Sequence, residues 1–171
     1  FPSKQKTLLK PVEIKGIGLH SGLMANVTIK PSLVDTGITF VRKDQNISKN
    51  TIKANFKNVA SAKLCTVIKN SLGVSVSTIE HLMGALYGEG IDNAIIEVDN
   101  VEIPILDGSA AEFVRLIRSA GIKEQEKQTR FVKVLKKIRI DEGTKYISIE
   151  PAINDFKIDF KIVYENEFIG S

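Results

Sequence analysis

The chain has 171 residues and a formal charge of +4, with 43% hydrophobic and 26% charged residues, which suits one folded domain or two small ones. No apolar run approaches the ~18 residues of a membrane span, and no basic stripe with interleaved aromatics marks a nucleic-acid surface, since Trp is absent and aromatics are only 6%. Cys65 is the single cysteine, which excludes an intrachain disulfide and points to a reducing compartment.

The opening FPSKQKTLLKP has no initiator Met and no apolar signal region, so an incomplete or processed end is expected there. Thr7–Lys15 is a strand candidate that Pro11 demotes to an edge or bulge. Gly16–Gly22, reading GIGLHSG, is a turn. It is not a dinucleotide loop, because Ser21 stands where the third Gly of G-x-G-x-x-G belongs and no helical pattern follows. Ala25–Lys30 alternates as a strand, with Ile38–Arg42 expected as its partner after the Asp35-Thr36-Gly37 turn. Thr51–Phe56, Leu64–Lys69 and Val74–Ser77 read as shorter strands.

Ser77–Gly90, reading STIEHLMGALYGEG, predicts a helix around which the rest is organised. Ser77 and Glu80 have capping-box spacing. Ile79, Leu82, Met83, Leu86 and Tyr87 form an apolar stripe of helical period, and Gly88 or Gly90 can end it. The opposite face collects Glu80, His81, Gly84, Ala85 and Gly88, smooth where a solvated face carries charges.

Asn93–Val98 is a nearly continuous apolar run and reads as a central strand. Val101–Leu106 is a short strand with Pro104 inside it, and Asp107-Gly108 is a turn. Ser109 and Glu112 repeat the capping-box spacing before a second amphipathic helix ending at Gly121. Residues 123–130 are charged and featureless, and read as a linker between a first domain, 1–122, and the beginning of a second, 131–171. Ile147–Pro151 echoes Val27–Pro31, each beyond a Gly turn. Each is followed by an alternating stretch, Ile38–Arg42 in one and Phe156–Lys161 in the other.

Two readings of Glu80 and His81 stand side by side on spacing alone. One is a capping carboxylate beside a surface imidazole. The other is metal chemistry, in which an imidazole binds the ion and a neighbouring carboxylate reaches its water. The chain has two His residues and no H-E-x-x-H. A set of His81, His20 and Cys65 or Asp107 has no supporting spacing. Cys65 reads as an inert thiol and Asp107 as a turn residue.

GIGLHSG at 16–22, LCT at 64–66, STIEHL at 77–82, GIDN at 90–93 and EIPILDGSAAEFV at 102–114 occur in this order. Together, over Lys6 to the end, they resemble the family of UDP-3-O-acyl-N-acetylglucosamine deacetylases, zinc amidases of bacterial lipid A synthesis. The resemblance implies an α+β fold. It is a two-layer sandwich of β-sheet and helices, followed by the start of a second similar domain. It implies Glu80 as general base, His81 as a Zn2+ ligand, and His20, Leu64 and Cys65 lining the substrate site. The implied substrate is a UDP-sugar lipid met at the inner-membrane surface by a cytoplasmic monomer, with no nucleic acid involved. The family's remaining zinc ligands belong to its later second domain, so this chain alone is expected to be inactive. The residues by themselves also fit a non-catalytic α+β interaction or RNA-binding domain, against which the missing basic stripe argues, or a folded relic without activity.

Overall fold

The computed structural model describes residues 3–153, 156–164, 166 and 168. Two compact units divide between Thr129 and Arg130.

The first unit is built on a five-stranded sheet. Strands β2 (Val12–Ile17), β3 (Met24–Pro31), β4 (Ile38–Arg42), β5 (Thr51–Lys53) and β9 (Ala94–Val98) stand in the order β2-β3-β9-β4-β5. The central place of β9 follows from its composition, since Ala94, Ile96 and Val98 are fully buried and backbone pairs lie on both sides. β9 therefore separates β3 from β4, which were expected to pair. It runs antiparallel to β3 and parallel to β4. Alternate residues Val27, Ile29, Phe40 and Ile52 point into the same core.

Helices α1 (Glu80–Gly88) and α2 (Ala111–Ala120) supply the second layer, with Leu82, Ala85, Leu86, Phe113 and Ile117 buried against the sheet residues in one cluster. The result is an α+β two-layer sandwich. Glu89, at the end of α1, accepts hydrogen bonds from Nε and Nη2 of Arg118, each at 2.9 Å, and this pairing holds its carboxyl below the usual range.

Several expected boundaries differ. The stretch 7–15 is two strands in different sheets, because the chain turns at residues 9–11 around Pro11. β1 (Lys4–Leu8) pairs with β10 (Ile122–Gln128). The segment 123–130, expected as a linker, is therefore mostly a paired strand of the first unit. β10 was hidden because all but one of its residues are exposed, so pairing rather than apolar alternation specifies it. β6 (Val59–Ser61), β7 (Val67–Lys69) and β8 (Ser75–Val76) form a small antiparallel sheet, and Phe56–Asn58 is a short 3-10 helix. The 101–106 stretch is not a strand; one bridge joins Ser77 to Glu102.

In the second unit, β11 (Ile138–Glu142) and β12 (Lys145–Ile149) form a hairpin through Gly143, and Arg139 lies 3.9 Å over the Tyr146 ring. The hairpin matches the first part of the suspected repeat. Residues 156–161 form no strand.

Candidate active site

Four segments named by their motifs converge, and Glu102 joins three of them. Its side chain is 2% exposed, yet it is a carboxylate. Its Oε1 accepts from the His20 amide at 3.0 Å and from Thr78 Oγ1 at 2.7 Å, while Oε2 accepts from the Ser21 amide at 2.7 Å. Burial pushes this carboxyl up. Hydrogen bonds from Ser21, Thr78 and the amides of His20 and Ser21 outweigh that and hold it at about 2. Glu102 is thus a buried anion whose hydrogen-bond donors come from the GLHS turn and from the entrance of α1.

The start of α1 is not the capping box its spacing suggested. Thr78 has φ +56, and this left-handed residue turns the chain out of the Ser77–Glu102 bridge and into the helix. A β-branched residue is strained there, and the hydrogen bond to Glu102 is part of what holds it. Consequently Ile79, not Ser77, is the N-cap, and Ser77 Oγ donates to the Val101 carbonyl instead. Glu80 is freed from capping. Its Oε2 accepts from the Thr66 amide at 3.1 Å, and its Oε1 takes no hydrogen bond from the described residues. Being in the first turn, its charge also favours the helix macrodipole.

That Thr66 contact brings the LCT segment to Glu80. Leu64 and Cys65 are not in a strand but in the bend before β7, where Leu64 is 85% exposed with φ +67 and Cys65 is half-buried. His81 is half-buried one residue further along α1. His20 is exposed on the turn Gly18–Gly22, which is closed by the Gly22 amide donating to the Gly18 carbonyl at 3.0 Å. The structure therefore links His20, Glu80, His81, Leu64 and Cys65 through hydrogen-bonded neighbours. Asp107 stands apart as a turn residue, exposed and held below the usual carboxylate range by hydrogen bonds from the Ser109 amide and hydroxyl.

On the rest of α1, Gly84 and Gly88 are exposed and a Cβ on either would meet nothing within 4 Å. Ala85 departs from the expected smooth face; it is 1% exposed and belongs to the core, while Tyr87 of the expected core stripe is 75% exposed.

Among the described residues, no three His, Cys, Asp or Glu side chains gather where one metal ion could be held. A catalytic zinc site takes three protein ligands and a water. The described residues do not bring together a complete site, and among them His81 offers one ligand of a set.

The family model described as LpxC, UDP-3-O-acyl N-acetylglycosamine deacetylase, matches residues 5–171. The chain belongs to this family. Proteins called UDP-3-O-acyl-N-acetylglucosamine deacetylase are similar along nearly its whole length. The one from Pasteurella multocida is 44% identical over 167 residues, the one from Histophilus somni 45% over 167, and one from Shewanella sp. strain ANA-3 46% over 166. These alignments cover 97–98% of this chain and 54% of each relative, so the chain spans about half the length of the curated relatives it matches. The motif order that resembled a deacetylase is thus that of an LpxC-family chain. Glu102 and Thr78 are the residues that motif reading passed over. The available signal was a Glu and a Thr inside two motifs otherwise noticed for their neighbours.

Proposed function

We propose that this chain supplies the general base and one metal ligand for removing the acetyl group of UDP-3-O-acyl-N-acetylglucosamine, an activity that belongs to the full-length protein. The observation that carries the reading is Glu80, with Oε2 fixed by Thr66 and Oε1 open, beside His81 on an LpxC-family chain. A carboxylate fixed at one oxygen has the other free to take a proton in a defined direction.

In this reading Glu80 Oε1 takes a proton from the water that attacks the acetamide carbonyl. The C–N bond then breaks, acetate leaves, and the nitrogen regains a proton as the free glucosamine amine. Zinc, held in part by His81 and otherwise by groups outside this chain, supplies Lewis-acid polarisation when bound. His20 on its turn and Leu64 with Cys65 on their bend line the substrate. The protein makes peripheral contact with the inner membrane, where it meets its lipid substrate; no helix among the described residues is long and apolar enough to cross one. The protein works as a cytoplasmic monomer without nucleic acid.

The test is free-amine release from UDP-3-O-acyl-N-acetylglucosamine by the full-length protein, with and without added zinc. Zinc-dependent appearance of the amine supports the reading. A folded full-length protein that releases none overturns it.

A further inference from the structure

The buried carboxylate of Glu102 has a role that the deacetylase chemistry does not use directly. A buried, ionised group is costly unless every lone pair is occupied. Here the occupants are not scattered; they are the backbone of His20 and Ser21 on one side and the Thr78 hydroxyl on the other. Thr78 precedes Glu80 by two residues and sits in a strained, left-handed conformation, φ +56. Gly18, at the other end of the same turn, is buried against this carboxylate. A Cβ built on it would lie 2.4 Å from Glu102 Oε2 and 2.4 Å from Ser21 Oγ. The turn therefore closes over the carboxylate with no room for a methyl group, and its Gly is required by Glu102 rather than by a positive φ.

We infer that Glu102 is a positioning residue that makes the His20 turn and the Glu80–His81 entrance of α1 one rigid unit. Without it, the turn keeps its own Gly18–Gly22 closure but loses its tie to α1. Thr78 then loses the partner that stabilises its left-handed backbone. The relative placement of His20, Glu80 and His81 becomes variable, although none of the three is altered. A displacement on the order of 1 Å between reacting groups can cost about a hundredfold in rate. The catalytic half of this inference rests on the deacetylase reading; the mechanical half does not.

Two measurements test it. The first is amide hydrogen exchange on the 171-residue chain. In Glu102→Gln, one oxygen is replaced by a donor that cannot accept from either amide. The His20 and Ser21 amides should exchange about tenfold or more faster, while the β9 amides are unchanged. Thr78→Val removes a single hydroxyl and keeps the side chain's shape, so it tests the link even if Glu102→Gln fails to fold. It does not touch the turn, yet it should still speed the His20 and Ser21 amides by about threefold. Unchanged turn amides in Thr78→Val, or acceleration of β9 by the same factor, overturns the inference.

The second measurement is steady-state kinetics of full-length Glu102→Gln. A fall of about 10- to 100-fold in kcat with KM moved less than about threefold is expected. If the wild type turns over and the variant stays within twofold of it, the positioning role falls while the deacetylase reading stands. If the wild type itself is inactive, that reading falls and the exchange data decide the mechanical link alone.

Discussion

The depressed Glu102 carboxyl makes a quantitative prediction about acid stability. Its ordinary value is 4.5 and its folded value is about 2. At ~1.4 kcal/mol per pH unit, that difference amounts to about 3 kcal/mol of folding free energy at neutral pH. The sign follows from which state takes the proton first. The folded value is the lower, so the unfolded chain protonates first, and the stabilisation is present above the unfolded value and lost as pH falls from about 5 toward 2. Other carboxylates contribute too, among them Asp44, whose guanidinium partner Arg42 holds it low, so wild-type acid stability alone does not isolate Glu102. Glu102→Gln does. Its amide resembles the protonated acid and cannot titrate. Urea unfolding of wild type and variant, followed at the β9 amides from neutral pH down to about 2, should show a gap that shrinks by about 3 kcal/mol as the acid end is reached. A gap that stays constant, or widens in acid, would refute an ionised Glu102 as the anchor of the turn.

Three further outcomes are expected. Gly84→Ala should raise the thermal midpoint of the first unit slightly, because its Cβ enters open space and Ala gains up to about 1 kcal/mol of helix propensity, whereas Leu86→Ala on the buried stripe should cost ~2–5 kcal/mol; paired thermal melts separate them, and a destabilised Gly84→Ala would mean that the exposed face is packed. Gly18→Ala should destabilise the unit by about 1–3 kcal/mol in urea melts and release the His20 and Ser21 amides as Glu102→Gln does, since its methyl group has no place beside the carboxylate. Metal analysis after gel filtration should find the 171-residue chain holding well under one zinc per molecule, because its described residues bring no three ligands together; one tightly held zinc per chain would show that the site is complete without other residues.

How much was legible in the sequence depends on what kind of interaction fixes each element. α1 and β9 are specified by apolar side chains, and periodicity found both, including the core role of Leu82 and Leu86 and the central place of Ala94–Val98. β10 is fixed by backbone pairing to β1 with charged residues facing outward, so its composition resembled a linker. Pairing order was likewise hidden, since nothing local says that β9 will enter between β3 and β4. The motif segments carrying His20, Leu64, Cys65, Glu80 and His81 are linked by hydrogen bonds in the structure, but the start of α1 differs from its expected form. Capping-box spacing assumes an ordinary backbone after Ser77, and Thr78 adopts a left-handed one. The Thr78 hydroxyl donates to Glu102, 24 residues later, which no local pattern marks as buried.

The central claim is that Glu80 provides the base while His81 helps to hold the metal. Metal content and acetate release measured on the same preparation of full-length Glu80→Gln test it most directly. The account predicts zinc retained at the wild-type ratio and turnover lowered by ~10²–10⁴-fold. Turnover within about tenfold of wild type, or zinc lost in step with activity, would contradict it.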